Sequence, residues 1–272
     1  MTTTEFDIQL PMEPVEAELV NPSTMVLFGL PKSGKTSAVL DLPGCFDISL
    51  EKNGASFQKG LKIQIPKDLN PLQSIAWLKA VAKKIKAQGR PYKYVAIDTL
   101  TIVDQWCEWT GTERYMNTSQ GKEWNRWNKI EHPDKKELWG KRMPFGDPDY
   151  ESIHNQGQGY GYRWSRAEMV DIYHELADLG SVCTIFICHV ADKLTKKINS
   201  NDEIVARSIS LTGLVKDIIT RNVDAIAYLY HEDDKTMISF KGNEEKVGGM
   251  RGASHLRGYQ GPLDWSRIFI EK

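Results

Sequence analysis

The sequence predicts an α/β chain, with a mostly parallel central sheet flanked by helices and an antiparallel hairpin toward the C-terminus. Three observations predict it. The apolar runs at 24–28, 94–97 and 182–190 are continuous, as strands covered on both faces are. Amphipathic stretches separate them. Leu72, Ile75, Leu78, Val81, Ala82 and Ile85 share one helical face, and Met169, Ile172, Tyr173, Leu176 and Leu179 share another. Finally, Gly29-Leu30-Pro31-Lys32-Ser33-Gly34-Lys35-Thr36 reads G-x-x-x-x-G-K-T, with a β-prone run before it and a first helical turn after it.

Residues 1–22 carry Pro11, Pro14 and Pro22 with acids between them, which predicts an extended arm. Phe6, Ile8 and Leu10 alternate with polar residues, so the arm can add a strand to an edge of this chain or of a neighbour. Residues 23–272 then form one domain. After the glycine loop and its helix, 41–44 turn and 45–50 make a second strand with Glu51 at its end. Leu61 to Ile65 alternates, as an edge strand does. Asn70-Pro71 opens a helix that Gly89 stops. The run Tyr94 to Thr99 is a buried strand with Asp98 at its carboxyl end, and 100–110 is helical.

From 111 to 164 no period is sustained. Six of the eight tryptophans lie between Trp106 and Trp164, and 120–142 holds seven Lys/Arg against four acids, so this reads as a functional insertion. A helix from Ser165 to Leu179 capped by Gly180 and a strand from Val182 to Val190, ended by His189, restore the pattern. Residues 191–210 are either a β-hairpin around Asn199-Ser200-Asn201-Asp202 or a loop. A short helix (212–221) and two strands (223–230 and 236–240), joined at Glu232-Asp233-Asp234-Lys235, follow.

Net charge is −1 over 272 residues, so any polyanion site must be a local patch. Cys45, Cys107, Cys183 and Cys188 lack a paired spacing and read as small core residues of a reducing compartment. No signal peptide and no apolar run of about 18 residues is present, so the expectation is a cytoplasmic protein with no membrane partner.

The glycine loop is a phosphate cradle. Its glycines let successive N–H groups point at phosphate oxygens, and the helix that follows adds its dipole. Gly29, Pro31, Lys32, Ser33, Gly34, Lys35, Thr36 and Ser37 are therefore expected to hold ATP, with Lys35 on the β- and γ-phosphates. Thr36 and Asp98 are the expected Mg²⁺ residues. Thr99 stands where many ATPases of this type place a catalytic glutamate, so the base must come from elsewhere. Glu51 is the candidate base, with a solvated loop acid as the plain alternative. His189 is either a γ-phosphate sensor or a structural histidine. Lys193, Lys196, Lys197 and Arg207 form a polar cationic stretch suited to a nucleic-acid backbone. Arg163 and Trp127 offer the same cation-plus-aromatic mixture in the insertion, although the spacing of Trp124 and Trp127 also suits helix packing.

GLPKSGKT, FDISLE, YVAIDT and TIFICH, in this order, resemble the RecA-type recombinase core. Residues 24–230 are more similar still to the minimal RecA-like proteins of bacteriophages, the Sak type of single-strand annealing or recombination ATPases. The resemblance implies a RecA-like P-loop NTPase fold, a catalytic glutamate at Glu51, an Mg²⁺-site acid at Asp98 and a phosphate sensor at His189. RecA itself has a glutamine at the sensor position. Two DNA-contact loops would fall within 111–164 and 191–212. Head-to-tail filaments or rings would place ATP between protomers, with Lys241, Arg251 and Arg257 as candidates for a finger in trans. The implied protein is a phage-encoded, ATP-hydrolysing binder of single-stranded DNA in the bacterial host cytoplasm. An exonuclease or a single-strand-binding protein of the phage joins the implied partners. A hexameric helicase or packaging motor, a P-loop small-molecule kinase and a non-catalytic nucleotide switch are the competing readings.

Overall fold

The computed structural model describes residues 12–14, 20–51, 53–196, 203–243 and 246–271, with the backbone alone at 193–196 and 203–205. The arm residues Phe6, Ile8 and Leu10, and Lys197, lie outside these. The first half runs β1 (Thr24–Gly29), α1 (Lys35–Leu40), β2 (Cys45–Ser49), β3 (Leu61–Gln64), α2 (Pro71–Ala87), β4 (Tyr94–Asp98) and α3 (Leu100–Met116). The second runs α4 (Tyr162–Leu176), β5 (Cys183–Lys196), β6 (Glu203–Ile209), α5 (Leu214–Asn222), β7 (Ala225–Glu232) and β8 (Lys235–Ser239). It closes with β9 (Gly249–Met250), β10 (Gln260–Pro262) and α6 (Trp265–Ile268).

Among the described residues, six strands are parallel, in the order β3-β2-β4-β5-β1-β7. Strands β8 and β10 continue the sheet antiparallel. The expected architecture is thus present: an α/β fold with a mostly parallel central sheet flanked by helices and an antiparallel hairpin toward the C-terminus. Alternation sorts the strand residues onto two covered faces. Val26, Phe28, Val95, Ile97 and Phe186 pack against α2, α3, α4 and α5. Met25, Leu27, Ala96, Ile185 and Ile187 pack against α1 and the C-terminal segment, where Trp265 Nε1 donates to Ala38 O at 2.9 Å. Both faces being apolar is what made these runs continuous in sequence.

Helix α2 begins where Asn70 Oδ1 accepts from Gln73 N (2.9 Å) and Gln73 Oε1 accepts from Asn70 N (3.0 Å), with Pro71 at the first helical position. It ends at Gly89, whose φ of 75° suits glycine. Helix α3 runs six residues beyond the expected boundary at 110, to Met116. The reason is packing. A Cβ on Gly111 would lie 2.6 Å from Ser165 N, so Gly111 is the point of close approach between α3 and α4 and does not break the helix. Helix α4 likewise starts earlier than expected, at Tyr162, and ends earlier, at Leu176.

The insertion between these helices has its own small core. Met116, Trp127, Met143 and Tyr150 are buried together, with Trp109, Trp124, Leu138 and Phe145 packed on them. This corrects the expectation for Trp127. Its ring is 5 % exposed and covered by Lys135 Nζ at 3.8 Å, so it has no face to offer a base.

The described parts of 191–210 pair as the two arms of the hairpin, with Val190 opposite Ile209 and Lys196 opposite Glu203, and the expected turn at Asn199-Ser200-Asn201-Asp202 lies outside the described residues. Strand β5 therefore does not end at His189. It leaves the parallel sheet there and continues as one arm of the hairpin. Asp233 and Asp234 make the expected β7–β8 turn with positive φ values of 47° and 60°. All four cysteines are free and buried.

Asp47 is the anomaly of the core. It is fully buried on β2, and neither carboxylate oxygen has a hydrogen-bond partner among the described residues. Burial, reinforced by the charge of Asp98 and opposed by Lys62, pushes its pKa up to about 8. The folded value lies above the unfolded one, so stability is greatest below about pH 4 and is lost as pH rises through about 8. Asp47→Asn is expected to leave the melting temperature near pH 4 almost unchanged. At alkaline pH it should raise the melting temperature, because an amide cannot ionise where burial opposes a carboxylate. Thermal melts across this pH range check it, and a pH-independent difference would count against it.

Candidate nucleotide site

The carboxyl ends of β1, β2, β4 and β5 converge on one cleft, the ligand position of open α/β sheets. Its volume is about 420 Å³, and its lining includes Pro31, Lys32, Gly34, Lys35, Thr36 and Ser37 from the loop. Glu51, Asp98 and His189 line it from the other strands. Four separate stretches expected to share one site are thus adjacent in space.

The loop is shaped by two left-handed residues, Lys32 (φ 63°) and Gly34 (φ 83°). Gly29 is needed for close approach, because a Cβ there would sit 2.4 Å from Leu229 O. Lys35 is buried and donates from Nζ to Gly29 O (2.9 Å) and Leu30 O (2.8 Å). An ammonium carries three protons, so one remains for a ligand. Burial lowers its pKa, while Asp98 and Glu51 oppose that shift.

Thr36 Oγ1 donates to Asp98 Oδ2 at 2.6 Å. That bond commits the hydroxyl proton and leaves the oxygen lone pairs for a cation. Burial pushes the Asp98 carboxyl up to about 6, with Glu51 adding and the Thr36 hydroxyl opposing. A divalent cation bound beside it would favour the carboxylate. The residues present therefore fit Mg²⁺ with a nucleotide triphosphate. Thr36 and Asp98 would hold the ion, Lys35 and the loop N–H groups the phosphates. When bound, Mg²⁺ supplies charge neutralisation on the phosphate oxygens.

Across the cleft, His189 Nε2 and Glu51 Oε1 are 2.8 Å apart. That hydrogen bond is the main reason the Glu51 carboxyl lies below its ordinary value, with the Lys35 charge adding to it. Glu51 is therefore anionic at neutral pH and partly exposed, as an acceptor for a water proton must be. His189 itself is anchored by its backbone: its N–H donates to Thr101 Oγ1 at 3.0 Å, and its carbonyl accepts from Ser210 N at 2.9 Å.

Some residues at or beside the cleft were not assigned to it from the sequence. Gln58 Nε2 donates to Ser37 Oγ at 2.7 Å, tying the 53–58 turns to the phosphate loop. Thr99 lines the cleft with its hydroxyl buried and unpartnered among the described residues. His231 stands beside Gly34, with Nε2 3.5 Å from where a Cβ would be. Isolated polar residues in loops and at strand ends carry no periodicity, so only the fold shows that they meet.

The remaining candidates lie elsewhere. Arg163 covers the rings of Tyr160 and Trp164 at the start of α4. Lys193 and Lys196 lie on the hairpin arm of β5, and Arg207 lies opposite on β6, paired with Asp192 at 4.0 Å. Arg251 donates to Arg221 O and lies by the amino end of β7, the far end of the sheet from the cleft. Lys241 and Arg257 are exposed and do not line the cleft.

Residues 21–133 match the family model described as an AAA domain, a span that holds the glycine loop, Glu51 and Asp98. No curated protein matches the chain. Among solved structures, the chain is similar to an ATPase from the type III secretion system of pathogenic bacteria, at 11% identity and a TM-score of 0.40. That likeness covers 83% of this chain and 62% of the other, so this chain spans less than two thirds of it. The AAA-domain match and the cleft chemistry together support ATP hydrolysis as the activity of this site.

Proposed function

We propose that this chain is a nucleic-acid-coupled ATPase that works as an assembly of copies. ATP is held by residues 29–37 with Mg²⁺ on Thr36 and Asp98, and Glu51 activates the attacking water. The observation that carries the coupling is the course of β5. One strand provides His189, which grips Glu51, and then runs on into the cationic hairpin of Lys193, Lys196 and Arg207. The hairpin base is tied to α3, directly after Asp98, through Thr101 and through Asp104, whose Oδ2 accepts from Thr212 N at 2.6 Å. A polyanion that shifts the hairpin therefore shifts His189, and with it the base.

Two finer readings share this machinery. In one, the partner is single-stranded DNA and the process is phage recombination or strand annealing, alongside an exonuclease or a single-strand-binding protein. Glu51 and His189, with Thr99 after Asp98, support it through the RecA-type pattern. In the other, the copies form a ring-shaped motor of helicase or packaging type, which the AAA-domain match favours. In either assembly, Lys241, Arg251 or Arg257 would reach a neighbour's nucleotide. A small-molecule kinase is disfavoured because Lys32 and Lys35 are the only cationic side chains lining the cleft, among the described residues. No helix of the described residues is long and apolar enough to cross a membrane.

Steady-state ATP hydrolysis with and without a single-stranded oligonucleotide tests the coupling. Several-fold stimulation is expected. No stimulation, together with no retention of the oligonucleotide in the presence of ATP, overturns it. Unwinding of a forked duplex selects the motor, and phosphate transfer to a nucleoside selects the kinase.

A further inference from the structure

A second pocket, of about 300 Å³, opens between β6, β7, Gln260 of β10 and the Asn243 and Lys246 positions, on the sheet face opposite α1. Its floor is Tyr228 and Tyr230, with ring centroids 5.6 Å apart and planes 14° from parallel. Over these rings stand two cations. Lys246 Nζ lies 6.0 Å from the Tyr228 centroid and 5.8 Å from that of Tyr230, and the Arg207 guanidinium lies 5.8 Å from Tyr228. A parallel bridge between Arg207 and Lys246 holds the two together, with Val247 N donating to Arg207 O at 3.1 Å.

The direction of each hydrogen bond indicates what the pocket takes. Arg207 Nη1 donates to Tyr228 Oη (3.3 Å), and Gln260 Nε2 donates to Tyr230 Oη (3.0 Å). Each phenol accepts, and neither donates to a described residue, so both keep a proton to give. The Tyr230 O–H and two cations therefore border the pocket, a donor set that suits a phosphate oxygen, with Tyr228 buried beneath them. Glu232 is the only acid lining the pocket among the described residues, and Asp192 meets Arg207 from outside it at 4.0 Å. Aromatic rings beside a phosphate site suit a nucleotide better than a bare ion, because a base stacks on them.

Position links this pocket to the ATP cleft. Leu229 pairs with Gly29 across β1 and β7, so Tyr230 lies one residue beyond the level at which the phosphate loop begins. The next residue, His231, abuts Gly34. On its other side the pocket shares Arg207 with the hairpin.

We propose that this pocket holds one nucleotide of a single-stranded nucleic acid, with its phosphate on Arg207 and Lys246 and its base against Tyr230. This rests on the nucleic-acid reading above and specifies where the strand leaving the hairpin is gripped. The test is fluorescence anisotropy of a labelled oligothymidylate with a non-hydrolysable ATP analogue, across a salt series. Tyr230→Leu is expected to weaken binding roughly ten-fold or more through lost stacking. Tyr230→Phe, which keeps the ring, should lose much less. Lys246→Gln should weaken binding and reduce the salt slope by about 1. Thermal melts verify that each variant is folded, and a fluorescent ATP analogue reads the cleft separately. If the wild type binds oligonucleotide and all three variants match it, the pocket assignment is overturned while the nucleic-acid reading stands. If the wild type hydrolyses ATP but binds no oligonucleotide, the reading falls and this assignment with it. Should the variants lose turnover at unchanged oligonucleotide affinity, the phosphate belongs to a neighbouring copy's nucleotide, and the assignment is wrong.

Discussion

Glu51→Gln is expected to bind Mg·ATP as the wild type does and to hydrolyse it about 10²–10⁴-fold more slowly, the usual contribution of a positioned general base. The substitution keeps the side-chain length and leaves an amide oxygen at hydrogen-bonding distance from His189, so the cleft keeps its shape. What disappears is the charge. In the wild type, the His189 hydrogen bond and the Lys35 charge hold the carboxyl ionised. A glutamine cannot take a proton from water at neutral pH. Phosphate release measures turnover, and titration with a fluorescent ATP analogue measures binding. Equal loss in both would make Glu51 a binding residue, and turnover at the wild-type rate would remove it from the chemistry. His189→Ala adds a second arm. It frees Glu51 without removing its charge, so the loss of rate should be smaller and the stimulation by oligonucleotide should fall with it.

The core strands were legible because burial on both faces leaves a continuous apolar run, and the carboxyl end of each run marks where ligand chemistry gathers. That is how Asp98 and Glu51, 47 positions apart, could be assigned to one cleft before the sheet order was known. The His189–Glu51 contact was not legible, since a pairing between two loop ends depends on which strands are neighbours. Gly111 misled because a glycine in a polar, aromatic stretch signals a break, whereas this one is a contact surface for α4. Trp127 misled for a related reason. Cations and tryptophans interleaved along a chain describe a nucleic-acid surface and a small core equally well, and only burial separates them. Tyr228 and Tyr230 were hidden inside a strand, where alternate aromatics read as packing. Asp47, too, was an ordinary letter in an apolar run until its surroundings were known.

Lys35→Ala is expected to have the other large effect, and on binding as well as rate. In the folded chain this ammonium serves two purposes. Two of its protons close the loop on itself at Gly29 O and Leu30 O, and the third faces the cleft. Alanine removes the cation that meets the β- and γ-phosphates and also strands two loop carbonyls. A hydrogen bond to a charged group contributes about 1.5–3 kcal/mol, so nucleotide affinity should fall by about 10–100-fold for one lost phosphate contact alone, with turnover below detection. Lys35→Arg separates the two purposes. It keeps the charge, but a planar guanidinium cannot fit the compact, buried position that a single nitrogen fills. If charge alone mattered, arginine would restore binding. The expected result is that it does not, and that both variants stay folded, because the two apolar faces of the sheet are untouched. Wild-type affinity in Lys35→Ala would mean that the loop N–H groups hold the nucleotide without the lysine, and the phosphate role assigned to Lys35 would have to be withdrawn.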